Sequence, residues 1–167
     1  MFIEMKVAGI TLDPLTKMPI IILKDLKGEN SLPIWIGLAE ASAIATQLEK
    51  IDLARPMTHD LLTNILNELD VFLENVKVTE LKDNTFYATL SLRVGKRSLH
   101  IDSRPSDAIA LALRTQSPVF VHEEVLKRSK AIDTDQLTDE EISIEDKEKW
   151  KEILENLSPE AFGKYKV

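Results

Sequence analysis

Hydrophobic and polar positions nearly alternate at the start of the chain, a pattern typical of β-strands. The pattern predicts three strands, over residues 2–11, 18–23 and 32–36. Turn-forming residues separate them, with Asp13-Pro14 after the first strand and Gly28-Glu29-Asn30 after the second. The alanine-rich segment 39–50 follows and predicts a helix, because alanine has the highest helix propensity.

The same order returns later in the chain. Strands are predicted over 75–81, 86–92 and 98–101, followed by a helix from Pro105 to about Thr115. A gapless comparison of residues 36–48 with 101–113 gives five identities in thirteen positions: Ile36/Ile101, Ala43/Ala108, Ile44/Ile109, Ala45/Ala110 and Leu48/Leu113. Apolar helix positions coincide easily, so the identities alone fit either chance or duplication. The shared β-β-β-α order favours duplication.

A further helix is predicted between the two repeats, over residues 57–70. Its leucines and isoleucine recur at three- and four-residue spacing, at Leu61, Leu62, Ile65, Leu66 and Leu69. Such a stripe predicts packing in the core. Beyond the second repeat, a short strand is predicted over 119–121 and one or two helical turns over 122–130.

The end of the chain has a different composition. Residues 131–141 are acidic and poor in apolar side chains, as in a linker. A terminal helix is predicted over 144–157, with an apolar face formed by Trp150, Ile153, Leu154 and Leu157. This face predicts docking or pairing, and so a homo-oligomer.

These elements predict an α+β fold of duplicated β-β-β-α units, with a mainly antiparallel sheet and a C-terminal helical appendage. The predicted division places one domain at residues 1–125 and an acidic linker with a helical tail at 126–167. The chain has 167 residues and 44% hydrophobic content, which is enough for a core without covalent staples.

Composition excludes several kinds of chemistry. The chain has no cysteine, so disulfides, thiolate metal sites and a cysteine nucleophile are excluded. Its net charge of −7 disfavours a generic nucleic-acid coat, although residues 122–167 contribute −5 of that total and residues 1–121 only −2. The first residues, MFIEMKVAGITLD, resemble neither a signal peptide nor a membrane span, which predicts a cytoplasmic protein with no membrane partner.

Common catalytic signatures are absent from the sequence. It contains no phosphate loop of the form GxxxxGK[ST], no GxGxxG turn, no HExxH pair and no GxSxG elbow. Nucleotide hydrolases, dehydrogenases, zincins and serine hydrolases of those types are therefore disfavoured.

Polar chemistry is concentrated where the last strand of the second repeat becomes a helix, over Asp102-Ser103-Arg104-Pro105-Ser106-Asp107. A helix start exposes unpaired N–H groups and the positive end of a dipole, which can hold a phosphate. The two acids would suit a divalent cation and the arginine a phosphate. Spacing alone favours a structural role for Asp107, since Pro105 opens the helix and an acid near its third position caps the backbone.

A second charged helix start, Arg55-Pro56-Met57-Thr58-His59-Asp60, lies upstream. Histidine titrates near neutral pH, so His59 would suit proton transfer, and Asp60 would suit a metal. The structural alternative is ordinary, because acids are common in a first helical turn and Thr58 would serve as a cap. Glu40, at the start of the first alanine-rich helix, is interpreted as an acid that favours the dipole rather than as a ligand.

Three segments resemble the bifunctional nuclease domain family, whose members are reported to act on both DNA and RNA. They are LPIWIGLAEASAIA from Leu32, RPMTHDLL from Arg55 and DSRPSDAIALAL from Asp102, together with the terminal PEAFGKYKV. The resemblance covers most of residues 1–125. It implies phosphodiester hydrolysis of DNA or RNA, with nucleic acid as the partner.

The resulting hypothesis assigns roles to the residues of these segments that match the family. We expect His59, Asp102 and Asp107 to be catalytic, Arg55, Arg104 and Ser106 to bind phosphate, and Asp60, Asp102 and Asp107 to hold Mg²⁺ or Mn²⁺. This requires two segments distant in sequence to converge. The alternatives are a non-enzymatic regulatory module that binds an anion or a protein, and a structural homo-oligomer.

Overall fold

A computed structural model of the chain describes residues 1–132. In chain order, its elements are β1 (Phe2–Leu12), β2 (Pro19–Asp25), β3 (Ser31–Trp35), α1 (Leu38–Leu48), α2 (Thr58–Glu68), β4 (Val71–Lys82), β5 (Thr85–Val94), β6 (Arg97–Ser103), α3 (Pro105–Thr115), β7 (Val119–His122) and α4 (Glu123–Ile132). The terminal helix predicted over 144–157, and the linker predicted over 131–141 apart from its first two residues, lie outside the described residues.

The strands form one sheet in the order β3-β2-β1-β7-β4-β5-β6. The strands of each predicted repeat pair antiparallel with their sequence neighbours. Between the repeats, β7 pairs antiparallel with β1 and parallel with β4. The two β-β-β units therefore occupy mirrored positions on either side of β7. This confirms the predicted α+β class, with its duplicated units and mainly antiparallel sheet.

The main core cluster combines buried residues of the sheet with buried residues of α1, α3 and α4. Strand register places Val76 opposite Leu90 and Val78 opposite Ala88, and all four are buried. Helix α3 packs over β4 and β5 and against α1. Its small residues Ala108, Ala110 and Ala112 are buried, so the backbones of the two helices can approach closely.

The identities between the repeats fall on these buried helix positions. Ile44 in α1 and Ile109 in α3 are both completely buried, as are Ala45 and Ala110. Each helix packs this face against one half of the sheet. The shared environment is a physical reason for both repeats to retain the same apolar residues.

The predicted core role of the α2 stripe is wrong. No residue of α2 is buried. Leu61, Leu62 and Ile65 are between 40% and 54% exposed, and Leu69, which follows the helix, is 65% exposed. The helix lies at the surface beside α3 and β4. Leu66 is partly buried, whereas the other four residues of the stripe are exposed among the described residues.

Helix α4 contains the domain boundary predicted at residue 125. Val125 and Leu126 are buried in the main core cluster, and Arg128 donates a hydrogen bond to the Leu81 carbonyl at the end of β4. The core thus continues past residue 125, and the division of the chain stays a prediction. Within residues 1–132, no helix has the length and apolar character needed to cross a membrane.

Truncating either buried isoleucine of the repeat tests the mirrored architecture. We expect Ile44→Ala and Ile109→Ala each to lower the free energy of unfolding by about 2–5 kcal/mol, because each leaves a cavity in a closed core. Chemical denaturation measures the loss. Leu15→Ala, at a highly exposed turn position, is the control and should change stability by less than about 0.5 kcal/mol. If only one of the two substitutions lowered the free energy of unfolding, the result would contradict equivalent packing of α1 and α3.

Candidate active site

Two helix starts that are distant in sequence meet in the structure. Nε2 of His59, in the first turn of α2, lies 2.9 Å from Oδ1 of Asp107, in the first turn of α3, across 48 residues of chain. The His59 side chain is only 12% exposed and that of Asp107 is 31% exposed. The convergence on which the sequence-based site depended is therefore present for this pair.

Arg104 extends the cluster to a third helix start. Its Nε donates to Oδ2 of Asp107 at 2.8 Å, and its Nη1 donates to Oε1 of Glu40 in α1, also at 2.8 Å. Arg104 is the extended residue that precedes α3, and its side chain is mostly exposed. One guanidinium thus joins the starts of the two repeated helices.

Glu40 is a site residue that sequence reasoning missed. The repeat carried the signal, because duplication of the β-β-β-α unit makes the start of α1 equivalent to the start of α3. Gly37, the residue before α1, makes the arrangement possible: a Cβ at this position would collide with the Glu40 carboxylate. A side chain at residue 37 would therefore displace the acid that holds Arg104.

The charge of Asp107 is stabilised by its neighbours. The hydrogen bond from His59 lowers the pKa of the Asp107 carboxyl, partial burial opposes it, and the Arg104 guanidinium lowers it further, so the net shift is downward. The hydrogen bond to Asp107 in turn raises the pKa of Arg104. At neutral pH the cluster therefore contains an ionised carboxylate against the His59 ring.

The neighbouring residue Asp60 turns to a different partner. Its Oδ1 accepts from Nε of Arg114 at 2.6 Å, and its Oδ2 accepts from the backbone N–H of Met57 at 2.9 Å. Burial raises the pKa of Asp60, but the hydrogen bonds from Arg114 and Met57 outweigh it, so the pKa lies below its usual value. Asp60 thus caps the start of α2, a role that was expected of Thr58, and also forms an ion pair.

Arg114 was absent from the sequence-based site, since one arginine in the last turn of an apolar helix is ordinary. Its side chain is only 5% exposed. Besides Asp60, it binds the carbonyl of Ala43 in α1 at 3.0 Å and that of Ala110 in its own helix at 2.9 Å. It therefore fastens α1 and α2 to α3.

Arg55 does not join Arg104. It lines a cavity of about 280 Å³ together with Asp60, Arg114, Asn64 and Gln47. Arg104 is not part of the lining. The two arginines that were expected to share one phosphate site therefore belong to two places, connected through the first turn of α2.

The remaining predicted residues are also dispersed. Asp102 is exposed on β6 opposite Thr89, and strand alternation directs it away from the face of Leu90 and Ala88. Ser106 is buried, which leaves its hydroxyl little access for a phosphate. Neither residue has a hydrogen bond or ion pair with His59 or Arg104 among the contacts of residues 1–132.

The predicted three-aspartate metal site is not formed. In the part of the chain that the structure describes, no three His, Asp or Glu side chains are grouped so that they would hold a metal ion. The physical reason is that Asp60 is paired with Arg114, Asp107 with His59 and Arg104, and Asp102 lies on another face.

Fold and cluster together define a class: an α+β domain of two mirrored β-β-β-α units, in which histidine, aspartate and arginine meet at helix starts. The sequence profile of the bifunctional nuclease domain matches residues 21–134. The chain therefore belongs to the bifunctional nuclease domain family.

The chain is also similar in sequence to individual proteins. The chain is 36% identical over 163 residues to a protein of Mycobacterium tuberculosis that is itself named as uncharacterized, a match that spans 95% of this chain and 97% of the relative. It is 28% identical over 108 residues to Bifunctional nuclease 2 of Oryza sativa and 29% identical over 108 residues to Bifunctional nuclease 1 of Arabidopsis thaliana. These two matches span 62% of this chain and 33% of each plant protein.

Acid titration tests the pairing of Asp107. A carboxyl whose pKa is lower in the folded state than in the unfolded state stabilises the fold fully at pH values above its unfolded pKa, here 3.8. That contribution is lost as the pH falls through its folded pKa. We expect the stability difference between the wild type and Asp107→Asn to shrink as pH falls from about 5 to about 2. Urea unfolding at each pH measures it, and a constant difference would contradict the pairing.

Replacing Arg114 tests whether its contacts hold α1 and α2 against α3. Arg114→Met removes the ion-pair partner of Asp60 and the hydrogen bonds that Arg114 donates to the carbonyls of Ala43 and Ala110. We expect a loss of about 2–4 kcal/mol in unfolding free energy. The matched control is Arg93→Met, which breaks an exposed ion pair with Glu74 and should cost less than about 1 kcal/mol. Equal losses in the two variants would remove the special role of Arg114.

Proposed function

We propose that this domain is a nuclease that hydrolyses phosphodiester bonds of DNA or RNA, with His59, Asp107 and Arg104 as its reactive cluster. The observation that carries the proposal is the contact between His59 and Asp107, in a chain of the bifunctional nuclease domain family. The relatives named bifunctional nucleases add support for the reaction class.

His59 is the proposed general base. With Nε2 donating to Asp107, the neutral ring leaves the lone pair of Nδ1 free to accept a proton. Nδ1 of His59 has no hydrogen-bond partner within residues 1–132. The buried polar side-chain atoms without a partner there consist of Asn75 Oδ1 alone, so Nδ1 is not a buried atom and is in contact with solvent. A water molecule, or a ribose hydroxyl in RNA, would deliver its proton at this atom.

Asp107 and Arg104 complete the proposed chemistry. The ionised Asp107 orients the ring and stabilises the imidazolium that forms when His59 takes the proton. Arg104 is mostly exposed and uses Nε and Nη1 in its ion pairs, so Nη2 is available for a phosphate oxygen. As the phosphorus–oxygen bond to the nucleophile forms, the bond to the leaving oxygen on the opposite side of phosphorus breaks. The leaving oxygen takes a proton from water, and His59 returns its proton to solvent.

A contribution from Mg²⁺ or Mn²⁺ stays a prediction from the sequence. Magnesium is commonly bound by one or two carboxylates together with substrate phosphates, which differs from a site built by protein alone. At Asp60 such an ion would have to compete with Arg114 for the carboxylate, and at Asp107 with His59 and Arg104. No step of the proposed mechanism is therefore assigned to a metal.

Cleavage of labelled single-stranded RNA and DNA tests the assignment. We expect His59→Ala to lower the rate by about 10²-fold or more, because a positioned base contributes that much. Added imidazole should restore part of it. Arg104→Met should weaken substrate binding and reduce its dependence on salt. His122→Ala and Arg93→Met are matched controls outside the cluster and should cleave like the wild type.

Each reaction is run with Mg²⁺, with Mn²⁺ and with EDTA. Cleavage that persists in EDTA would remove the metal from the proposal and leave the His59 assignment intact. Wild-type rates in folded His59→Ala would overturn the catalytic assignment.

The alternative is a regulatory module that binds an anion or a protein without catalysis. One observation favours a role without catalysis: each charged group of the cluster already has a protein partner. Such a cluster would serve to hold three helices together. Binding of oligonucleotide without cleavage by the wild type in any metal condition would support this alternative.

A further inference from the structure

The cavity that Arg55 lines takes no part in the chemistry proposed above. It has a volume of about 280 Å³ and is formed by the last turns of α1 and α3, the first two turns of α2 and the segment before α2. Asp60 lines it and directly follows His59 in the chain. Consecutive Cα atoms are about 3.8 Å apart, so the cavity borders the same helical turn that carries the proposed general base.

A buried guanidinium group presents an unused donor to this cavity. The Arg114 side chain is only 5% exposed, and it uses Nε for Asp60 and Nη1 for two carbonyls. Its Nη2 has no hydrogen-bond partner within residues 1–132, and it is not among the buried atoms there that lack one. Nη2 therefore meets solvent, and because so little of this side chain is exposed, it does so in the cavity that Arg114 lines.

Two side-chain amides line the cavity from different helices. Gln47 comes from α1 and Asn64 from α2. Neither amide group has a hydrogen bond among the described residues. Each amide offers donors and an acceptor on one planar group. This combination matches the edge of a nucleobase, which asparagine and glutamine recognise through two hydrogen bonds.

The rest of the lining favours a neutral ring over a free anion. The two arginines are balanced by two aspartates, Asp52 and Asp60, so a multiply charged anion such as inorganic phosphate meets repulsion as well as attraction. Ile51, Leu53 and Pro56 add apolar surface against which a planar ring can pack. The volume lies just below the roughly 300–1,000 Å³ of pockets for drug-sized ligands, which suits a ligand with a single ring system.

We propose that this cavity binds the base of the nucleotide next to the scissile phosphate and gives the domain a base preference on single strands. This base site rests on the proposed nuclease function, because a phosphate at Arg104 and His59 brings the neighbouring nucleotide to the first turn of α2. Asn64 and Gln47 pair with the edge of the base, and Nη2 of Arg114 donates to one of its acceptors. In a duplex that edge is already paired, so the recognition is restricted to unpaired strands.

Binding of short single strands tests the base site without any cleavage. Fluorescence anisotropy compares labelled phosphorothioate octamers of A, C or T, which resist hydrolysis. We expect the wild type to bind one octamer about tenfold more tightly than another, and Asn64→Leu and Gln47→Leu to remove most of that ratio, since a well-paired base edge contributes this much discrimination. Asn67→Leu, at an exposed asparagine of α2 outside the cavity, is the matched control and should keep the ratio. Circular dichroism confirms that each variant is folded.

Nuclear magnetic resonance of the side-chain amides locates the base. The NH₂ resonances of Asn64 and Gln47 should shift when the preferred octamer is added and should not move with inorganic phosphate. A wild type that binds all octamers equally would overturn the base site. So would a preference that both leucine variants retain, or an equal shift of the amides with phosphate alone.

Failure of the base site can be told apart from failure of the nuclease proposal. If strands are cleaved with the expected dependence on His59 but without base preference in binding, the nuclease assignment stands and the base site is wrong. If binding shows a preference that depends on Asn64 and no strand is cleaved, the base site stands and the nuclease assignment is wrong.

Discussion

The attachment of α2 to α3 is the constraint on which the site depends. Helix α2 buries none of its residues, so packing alone does not fix its position. Two side chains at its start do so: His59 pairs with Asp107, and Asp60 pairs with the buried Arg114. Because these contacts lie at adjacent residues and reach opposite ends of α3, they set both the place and the direction of the helix start.

The same contacts connect structure and chemistry through the duplicated fold. Mirrored β-β-β-α units bring the starts of α1 and α3 close together, and Arg104 bridges them by binding Glu40 and Asp107. Only the second unit carries Asp107, and only the segment between the units supplies His59. The repeat therefore provides a symmetric scaffold, while the reactive pair arises from residues that break the symmetry.

Much of the fold was predictable because strand alternation, turn residues and the repeated element order are local signals. The hypothesis also required the two charged helix starts to converge. They do so through His59 and Asp107, but Arg55 and Asp102 do not join them. Three features escaped prediction for physical reasons. The leucine spacing of α2 indicates an apolar face but does not say what covers it. The pairing of Asp60 with Arg114 depends on helix packing, and Asp102 is separated from Asp107 by strand pairing, which no spacing in the sequence encodes.

The most direct measurement of the central claim is the tautomer of the His59 ring, determined by nitrogen-15 nuclear magnetic resonance of the labelled imidazole in the full chain. The account predicts a neutral ring protonated at Nε2, hydrogen-bonded to Asp107, with an unprotonated Nδ1 whose resonance shifts when a non-cleavable oligonucleotide is added. A ring protonated at Nδ1, or a resonance that oligonucleotide leaves unchanged, would contradict it.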